Sequence, residues 1–295
     1  MAIASIIICV LFWGFSFISI KITVRVFPPM SLGMLRFAIA VVFLFFIKLK
    51  LAPGEKLKTR DIPLLLCAGL CGVTLYFFFE NNGVALVTAS EASIVIGAIP
   101  VLTMAADWLS GKIARNKNIN HPKTGLRQWL GALISVAGVW LVAGVSFALS
   151  GSIRGYIFMA GAACAWVAYS LLTRPLFERC SRIYIVFWQT VAGFIGFLPF
   201  SIMEFRQWGT PDLSVIIHLV FLAVCCSAFG YLLYVRSLEV LGMSVTAIFI
   251  NLIPLLTVIF GFFIMGDRLT LLQCLGAALV IGGVYLSMLS PLKKN

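Results

Sequence analysis

The chain has 295 residues, 62% apolar and 11% charged, with a mean hydropathy of +1.09. A soluble domain is about half apolar and about one quarter charged, so a water-soluble globule is excluded. The 22 Lys and Arg against 10 Asp and Glu give a net charge of +12, but the basic residues sit in short connections between apolar runs. There they report orientation and contact with anionic lipid, not a nucleic acid partner.

A bilayer crossing takes about 20 residues. In chain order the sequence predicts ten crossings, at 1–20, 31–47, 62–86, 90–109, 126–153, 155–173, 183–203, 213–235, 240–266 and 269–292. Three carry ionisable groups inside: Arg36 in the second, Glu80 in the third, and Glu91 with Asp107 in the fourth. The first run has no basic leader and reads as a retained helix rather than a signal peptide. With the N-terminus inside, the connections around 48–61, 110–127, 174–182 and 236–242 and the C-terminal tail hold sixteen Lys and Arg; the outer side holds five. The positive-inside rule then places both termini in the cytoplasm. Seven of the eight Cys lie inside apolar runs, with Cys180 in a connection. That spacing fits neither a disulfide framework nor a zinc site, so they read as small packing residues.

The chain aligns with itself. A shift of 153 puts Trp13 over Trp166 and Arg36 over Gln189; a shift of 154 puts Ser90 over Ser244, Pro100 over Pro254, Thr103 over Thr257, Phe77 over Tyr231 and Glu80 over Tyr234. At 145, Gln128, Leu130, Gly131, Ala132, Gly138, Val139 and Leu141 fall on Gln273, Leu275, Gly276, Ala277, Gly283, Val284 and Leu286. The change from 154 to 145 places about nine extra residues in the basic segment 112–127. Five helices per copy is an odd number, so the second copy enters the membrane from the opposite side. The expected fold is an all-α integral membrane protein of ten transmembrane helices as two inverted five-helix repeats, 1–150 and 151–295. Such repeats exchange shapes around a midplane site, which gives alternating access.

These residues resemble a known family. Phe12-Trp13-Gly14, Leu35-Arg36-Phe37, Ala85-Leu86 followed by Ala89-Ser90-Glu91-Ala92-Ser93, Ile99-Pro100 and the Gly131/Gly138 pattern look like the first EamA repeat of the drug/metabolite transporter superfamily. Ala165-Trp166, Leu252-Ile253-Pro254, Gly266-Asp267-Arg268-Leu269 and the run 273–286 are similar to the second. The resemblance implies a ten-helix carrier exporting small metabolites, often amino acids or related compounds, in a bacterial inner membrane. One departure stands out: the acid at the end of the helix, present as Asp267, is replaced in the first copy by Gly111-Lys112-Ile113.

Charges inside a bilayer are costly and find partners or wet cavities. Arg36 and Glu80 lie roughly 8 and 9 Å below the outer boundary at 1.5 Å per residue. With Glu91 they are expected to form a polar cluster serving as gate, anion site or proton acceptor, or as a structural ion pair. Pro100 and Pro254 free the carbonyls of Ile96 and Ile250 and kink their helices, which points to the binding region or to simple packing; Asn251 adds an amide nearby. Trp13 and Trp166 lie deep in their helices, and with Tyr169, Tyr231, Tyr234 and Trp188 they are candidate walls for an amphipathic solute, with possible cation–π attraction to an amine, or ordinary core. Asp107 reads as structural, reaching water or the segment from Lys112, and Asp267 as half of an interfacial pair. His121 and His218 are isolated and make no metal set. Gly69/Gly72, Gly131/Ser135/Gly138 and Gly276/Gly282/Gly283 offer close helix approach, within the bundle or between subunits. No Walker-type loop is present, so no cofactor is expected. The reading is a secondary carrier for a small-molecule substrate among membrane lipids, monomer or homodimer, with a lipid-linked substrate flippase as the alternative and no enzyme chemistry.

Overall fold

In hydrocarbon each backbone polar group must be satisfied within the segment, which drives long apolar runs into helices. The computed structural model describes residues 1–84, 86, 95–115, 125–142, 152–265 and 270–289, and among them there is no strand. The helices are α1 (Ala2–Thr23), α2 (Pro29–Leu51), α3 (residues 62–84), α4 (Ile99–Arg115), α5 (Leu126–Val142), α6 (Ile153–Thr173), α7 (Arg182–Glu204), α8 (residues 213–241), α9 (residues 243–265) and α10 (Leu271–Met288). Seven stretches are long and apolar enough to cross a membrane: Ala2–Ile20, Pro29–Leu51, Ile62–Gly83, Ile153–Leu176, Arg182–Gln207, Leu213–Leu241 and Leu271–Met288. Val95–Ser110, Leu126–Val142 and Met243–Thr257 are shorter apolar helices.

Local chemistry sets the boundaries. Pro29 opens α2, where its missing N–H costs nothing. Ser181 and Asp212 cap α7 and α8 through their side chains, and Thr270 with Gln273 forms a capping box on α10. The predicted connection at 236–242 is corrected: α8 runs to Leu241, and Gly242 alone turns the chain at φ 81°. Arg236 and Glu239 read as loop residues because they are charged, but charges also occupy helix ends at a membrane edge. The predicted run to 153 is helical over Leu126–Val142. Two features were not predicted. Residues 70–75 of α3 and 222–229 of α8 form wide turns of π type. They overlap at a shift of 154.

The helices pair as α5 with α10, α2 with α7, α4 with α9, α3 with α6 and α1 with α8. Exchanging α1–α5 for α6–α10 maps each pairing onto itself or onto another in this set. α5 and α10 meet backbone to backbone. A Cβ on Gly138 would lie 2.6 Å from the Val280 nitrogen and 2.7 Å from the Gly276 oxygen, and one on Gly276 would lie 2.7 Å from the Gly138 oxygen. The glycines of both helices are therefore spent within the chain, except Gly282, which faces open space.

Side-chain bonds define two ends. At one, Glu204 of α7 accepts from the Ser31 N–H at 2.7 Å and its hydroxyl at 2.9 Å, Trp208 packs on Phe27, and Ser152 N–H reaches the Leu86 carbonyl. The other holds all four ion pairs among the described residues: Arg60–Asp61, Arg179–Asp61, Arg182–Glu239 and Arg174–Asp107. Ser237 of α8 donates to the Ala2 carbonyl, so the N-terminus lies at this second, basic end.

Candidate functional site

Proline placement shapes the floor of the site. A turn precedes each proline, at Ala98 immediately before α4 and Pro100 and at Asn251 within α9 ahead of Pro254. Ile96, Ile99, Ile250 and Ile253, which flank these turns, line a cavity. Trp13 and Trp166 form its aromatic wall, edge to face with centroids 5.4 Å apart, and Tyr231 lies 6.0 Å from each. A smaller cavity adjoins it, sharing Ile20, Arg36 and Phe77 and continuing past Val24, Pro29 and Asn81. The smaller cavity thus lies toward the end opposite the ion pairs.

The wide turns anchor this wall. Their carbonyls are reached by side chains of other helices: the Trp13 indole N–H donates to the Cys226 carbonyl at 3.0 Å, and the Tyr231 hydroxyl donates to the Gly72 carbonyl at 2.7 Å. Gly72 and Cys226 occupy matched positions at a shift of 154. Wide turns of this kind occur often at functional sites. The Trp166 indole N–H donates to the Tyr234 hydroxyl at 3.1 Å, which also bonds Ser170 at 3.0 Å.

Arg36 and Glu80 both line the cavity but do not pair. Arg36, 4% exposed, donates through Nε to the Ser227 hydroxyl at 2.5 Å, and its guanidinium carbon lies 4.9 Å from the Phe77 ring centroid and 5.4 Å from that of Phe37. Glu80, 9% exposed, accepts from the Tyr76 hydroxyl at 2.8 Å. Among the described residues the terminal nitrogens of Arg36 have no hydrogen-bond or carboxylate partner. An isolated buried charge is costly, so two opposite charges held apart on neutral partners leave each with capacity for a dipolar guest.

The cavity brings together Trp13, Arg36, Glu80, Trp166 and Tyr231 of the predicted residues. Tyr169, Pro100, Asn251 and Pro254 are absent from its lining. Tyr169 is fully buried against Trp166, while Asn251 donates from its amide to Ser135 on α5. Glu91, Asp267 and His121 lie outside the described residues. Asp107, buried on α4, holds Arg174 at 2.8 Å and accepts from Ser244 at 3.3 Å; the side chains of the segment from Lys112 lie outside the described residues. His218 bonds the Ser19 hydroxyl at 3.0 Å. Ser227, which holds Arg36, gave no sequence signal, since one serine in an apolar run is unremarkable.

A bundle of long apolar helices around a cavity with internal charges belongs to the class of membrane transport proteins. The chain belongs to the EamA-like transporter family, which matches residues 1–144 and 153–289. It is 30% identical over 280 residues to an uncharacterized transporter of Archaeoglobus fulgidus, covering 94% of this chain and 95% of that protein. It is 22% identical over 291 residues to a protein of Streptantibioticus cattleyicolor named a probable terminal-alkyne amino-acid exporter, covering 97% and 92% of the two chains. A solved crystal structure shares the fold with a TM-score of 0.80 at 19% identity, covering 100% of this chain and 99% of the other. The family and the relatives' names indicate a transporter rather than an enzyme.

Proposed function

We propose that the protein is a secondary carrier that exports small organic metabolites, amino acids or related compounds, or xenobiotics across a bacterial inner membrane by alternating access. The three shorter apolar helices cross with the seven long ones, giving ten helices in two inverted five-helix repeats with both termini cytoplasmic. The double family match, the exchange symmetry of the helix pairing and the matched wide turns support this arrangement. The positive-inside rule makes the ion-paired, basic end cytoplasmic, so the smaller cavity lies toward the outside, which makes this the outward-open form.

One observation carries the reading: a buried guanidinium whose terminal nitrogens have no hydrogen-bond partner among the described residues faces the same aromatic cavity as a carboxylate held elsewhere. Arg36 takes a carboxylate or similar anion, Glu80 an ammonium or a coupling proton, and the tryptophans and isoleucines the apolar body.

The test is a thermal-shift screen of the purified protein against amino acids, nucleosides, polyamines, cationic drugs and short lipid-linked sugars, followed by liposome flux for each hit. A soluble amphipathic zwitterion that stabilises the protein and crosses the bilayer is expected. Stabilisation by lipid-linked compounds alone would replace the carrier with a flippase. Flux with no response to an imposed pH gradient would remove Glu80 as a proton acceptor.

A further inference from the structure

The cavity draws unequally on the two copies of the repeat. Four matched pairs contribute both members: Trp13/Trp166, Phe77/Tyr231, Ile96/Ile250 and Ile99/Ile253. Residues that stay on the wall from either side of an exchange lie near its axis. Five further positions contribute only the first-copy member, namely Ser16, Ile20, Arg36, Tyr76 and Glu80. At the same shifts of 153 and 154, their counterparts are Tyr169, Thr173, Gln189, Gly230 and Tyr234.

Every one of those counterparts is closed off. Tyr169 and Thr173 are 0% exposed, Gln189 and Tyr234 1%, and Gly230 is buried. Yet four of the five are polar, on the faces of α6, α7 and α8 that correspond to the cavity faces of α1, α2 and α3. Among the described residues the Gln189 carbonyl oxygen has no hydrogen-bond partner, and the Tyr169 hydroxyl has only Thr173 beside it. The Gln189 amide nitrogen donates to Thr173 at 2.9 Å, so these groups already form one cluster. A buried polar group without a partner costs about 1–3 kcal/mol. Such groups are accounted for if they are wet or ligand-bound in another state of the same molecule.

We propose that Tyr169, Thr173, Gln189 and Tyr234 form a second, uncharged binding surface, which opens toward the basic end when the conformation reverses. This rests on the alternating-access reading above. The ligand's ionised groups meet Arg36 and Glu80 in the outward-open form; in the inward-open form the same groups meet hydroxyls and a carboxamide, while the shared aromatic and isoleucine walls hold the apolar body throughout. A chain of contacts at the basic end locks this second surface. Arg174, next in the chain to Thr173, is held by Asp107 of α4, and Asp107 is held by Ser244 of α9.

The experiment uses the full chain in right-side-out and inside-out membrane vesicles. Ile20→Cys reports the outward surface and Thr173→Cys the inward one, each with and without Asp107→Asn. A membrane-impermeant maleimide is applied, and site occupancy is read by peptide mass spectrometry, which separates these sites from the native cysteines. The expected result is that Thr173→Cys is labelled from the basic side only. Asp107→Asn should raise that labelling at least threefold and lower Ile20→Cys labelling in parallel. Gln189→Cys serves as a second inward reporter where Thr173→Cys fails to accumulate. The proposal is overturned by inward reporters that stay unlabelled in both backgrounds, by their labelling from the opposite side, or by a rise at Thr173→Cys with Ile20→Cys unchanged, which would mark local fraying. Liposome flux of the parent chain separates the two readings: flux without reciprocal labelling removes the second surface and leaves the carrier, whereas no flux with any ligand class removes the carrier.

Discussion

Arg36 offers a sharp test, because a binding role and a structural role predict opposite outcomes. Consider Arg36→Met, which keeps much of the stem and removes the charge. In the free protein the side chain gives up one hydrogen bond, to Ser227. Leaving a buried hydroxyl unpaired costs about 1–3 kcal/mol, but removing an internal charge that has no ionic partner within contact relieves its desolvation cost. The two offset, and the unliganded variant is expected within about 1 kcal/mol of the parent. Binding changes far more: bonds from a charged donor contribute about 1.5–3 kcal/mol, or roughly 10- to 150-fold in affinity. A ligand present at about 100 times its dissociation constant stabilises by about 2.7 kcal/mol; after a 100-fold loss that falls to about 0.4 kcal/mol by the same relation. The assay is thermal unfolding in detergent, with and without a carboxylate-bearing ligand that stabilises the parent. An unliganded variant weakened by more than about 3 kcal/mol, with its ligand response intact, would refute the reasoning and make the guanidinium a structural strut.

Other outcomes follow from the same geometry. Gly138→Ala forces a methyl against the Val280 nitrogen and the Gly276 oxygen and should lower stability by about 1–3 kcal/mol; Gly282→Ala, facing open space, should lower it by none, and equal unfolding midpoints for the two would contradict the crossing. Glu204→Gln removes the charge at the start of α2 while keeping one acceptor for Ser31, costing about 0.3–1 kcal/mol at low salt; chemical denaturation at two ionic strengths should show the difference shrinking with salt. Trp13→Phe keeps an aromatic wall and loses only the bond to the Cys226 carbonyl. It should cost about 1 kcal/mol and retain more of the ligand-induced shift than Trp13→Ala.

The parts of this architecture legible in the sequence were those carried by composition and duplication. Lone charges in apolar runs stand out, so Arg36 and Glu80 could be placed in one site. A tryptophan recurring at the repeat distance stands out too, and Trp13 and Trp166 do touch. What stayed hidden depends on partners distant in sequence or on backbone geometry without a residue signature. Asp107 finds Arg174 from 67 positions away, and nothing local to either names the other. The wide turns at 70–75 and 222–229 have the composition of ordinary helix. Their freed carbonyls explain why Tyr231 and Trp13 point as they do. Of the two readings of Arg36 and Glu80, a gate or anion site and a structural ion pair, the structure has no ion pair between them because Ser227 and Tyr76 hold each group where it stands, and neither hydroxyl was distinguishable from the many in the chain.

The crossing of α5 and α10 has a mechanical consequence. At Gly131, Gly138, Gly276 and Gly283 the two helices touch main chain on main chain, so no rotamers lie between them to rearrange. These two helices close the two segments that the family matches, 1–144 and 153–289, which makes their crossing a reference against which the displacement of every other helix can be measured.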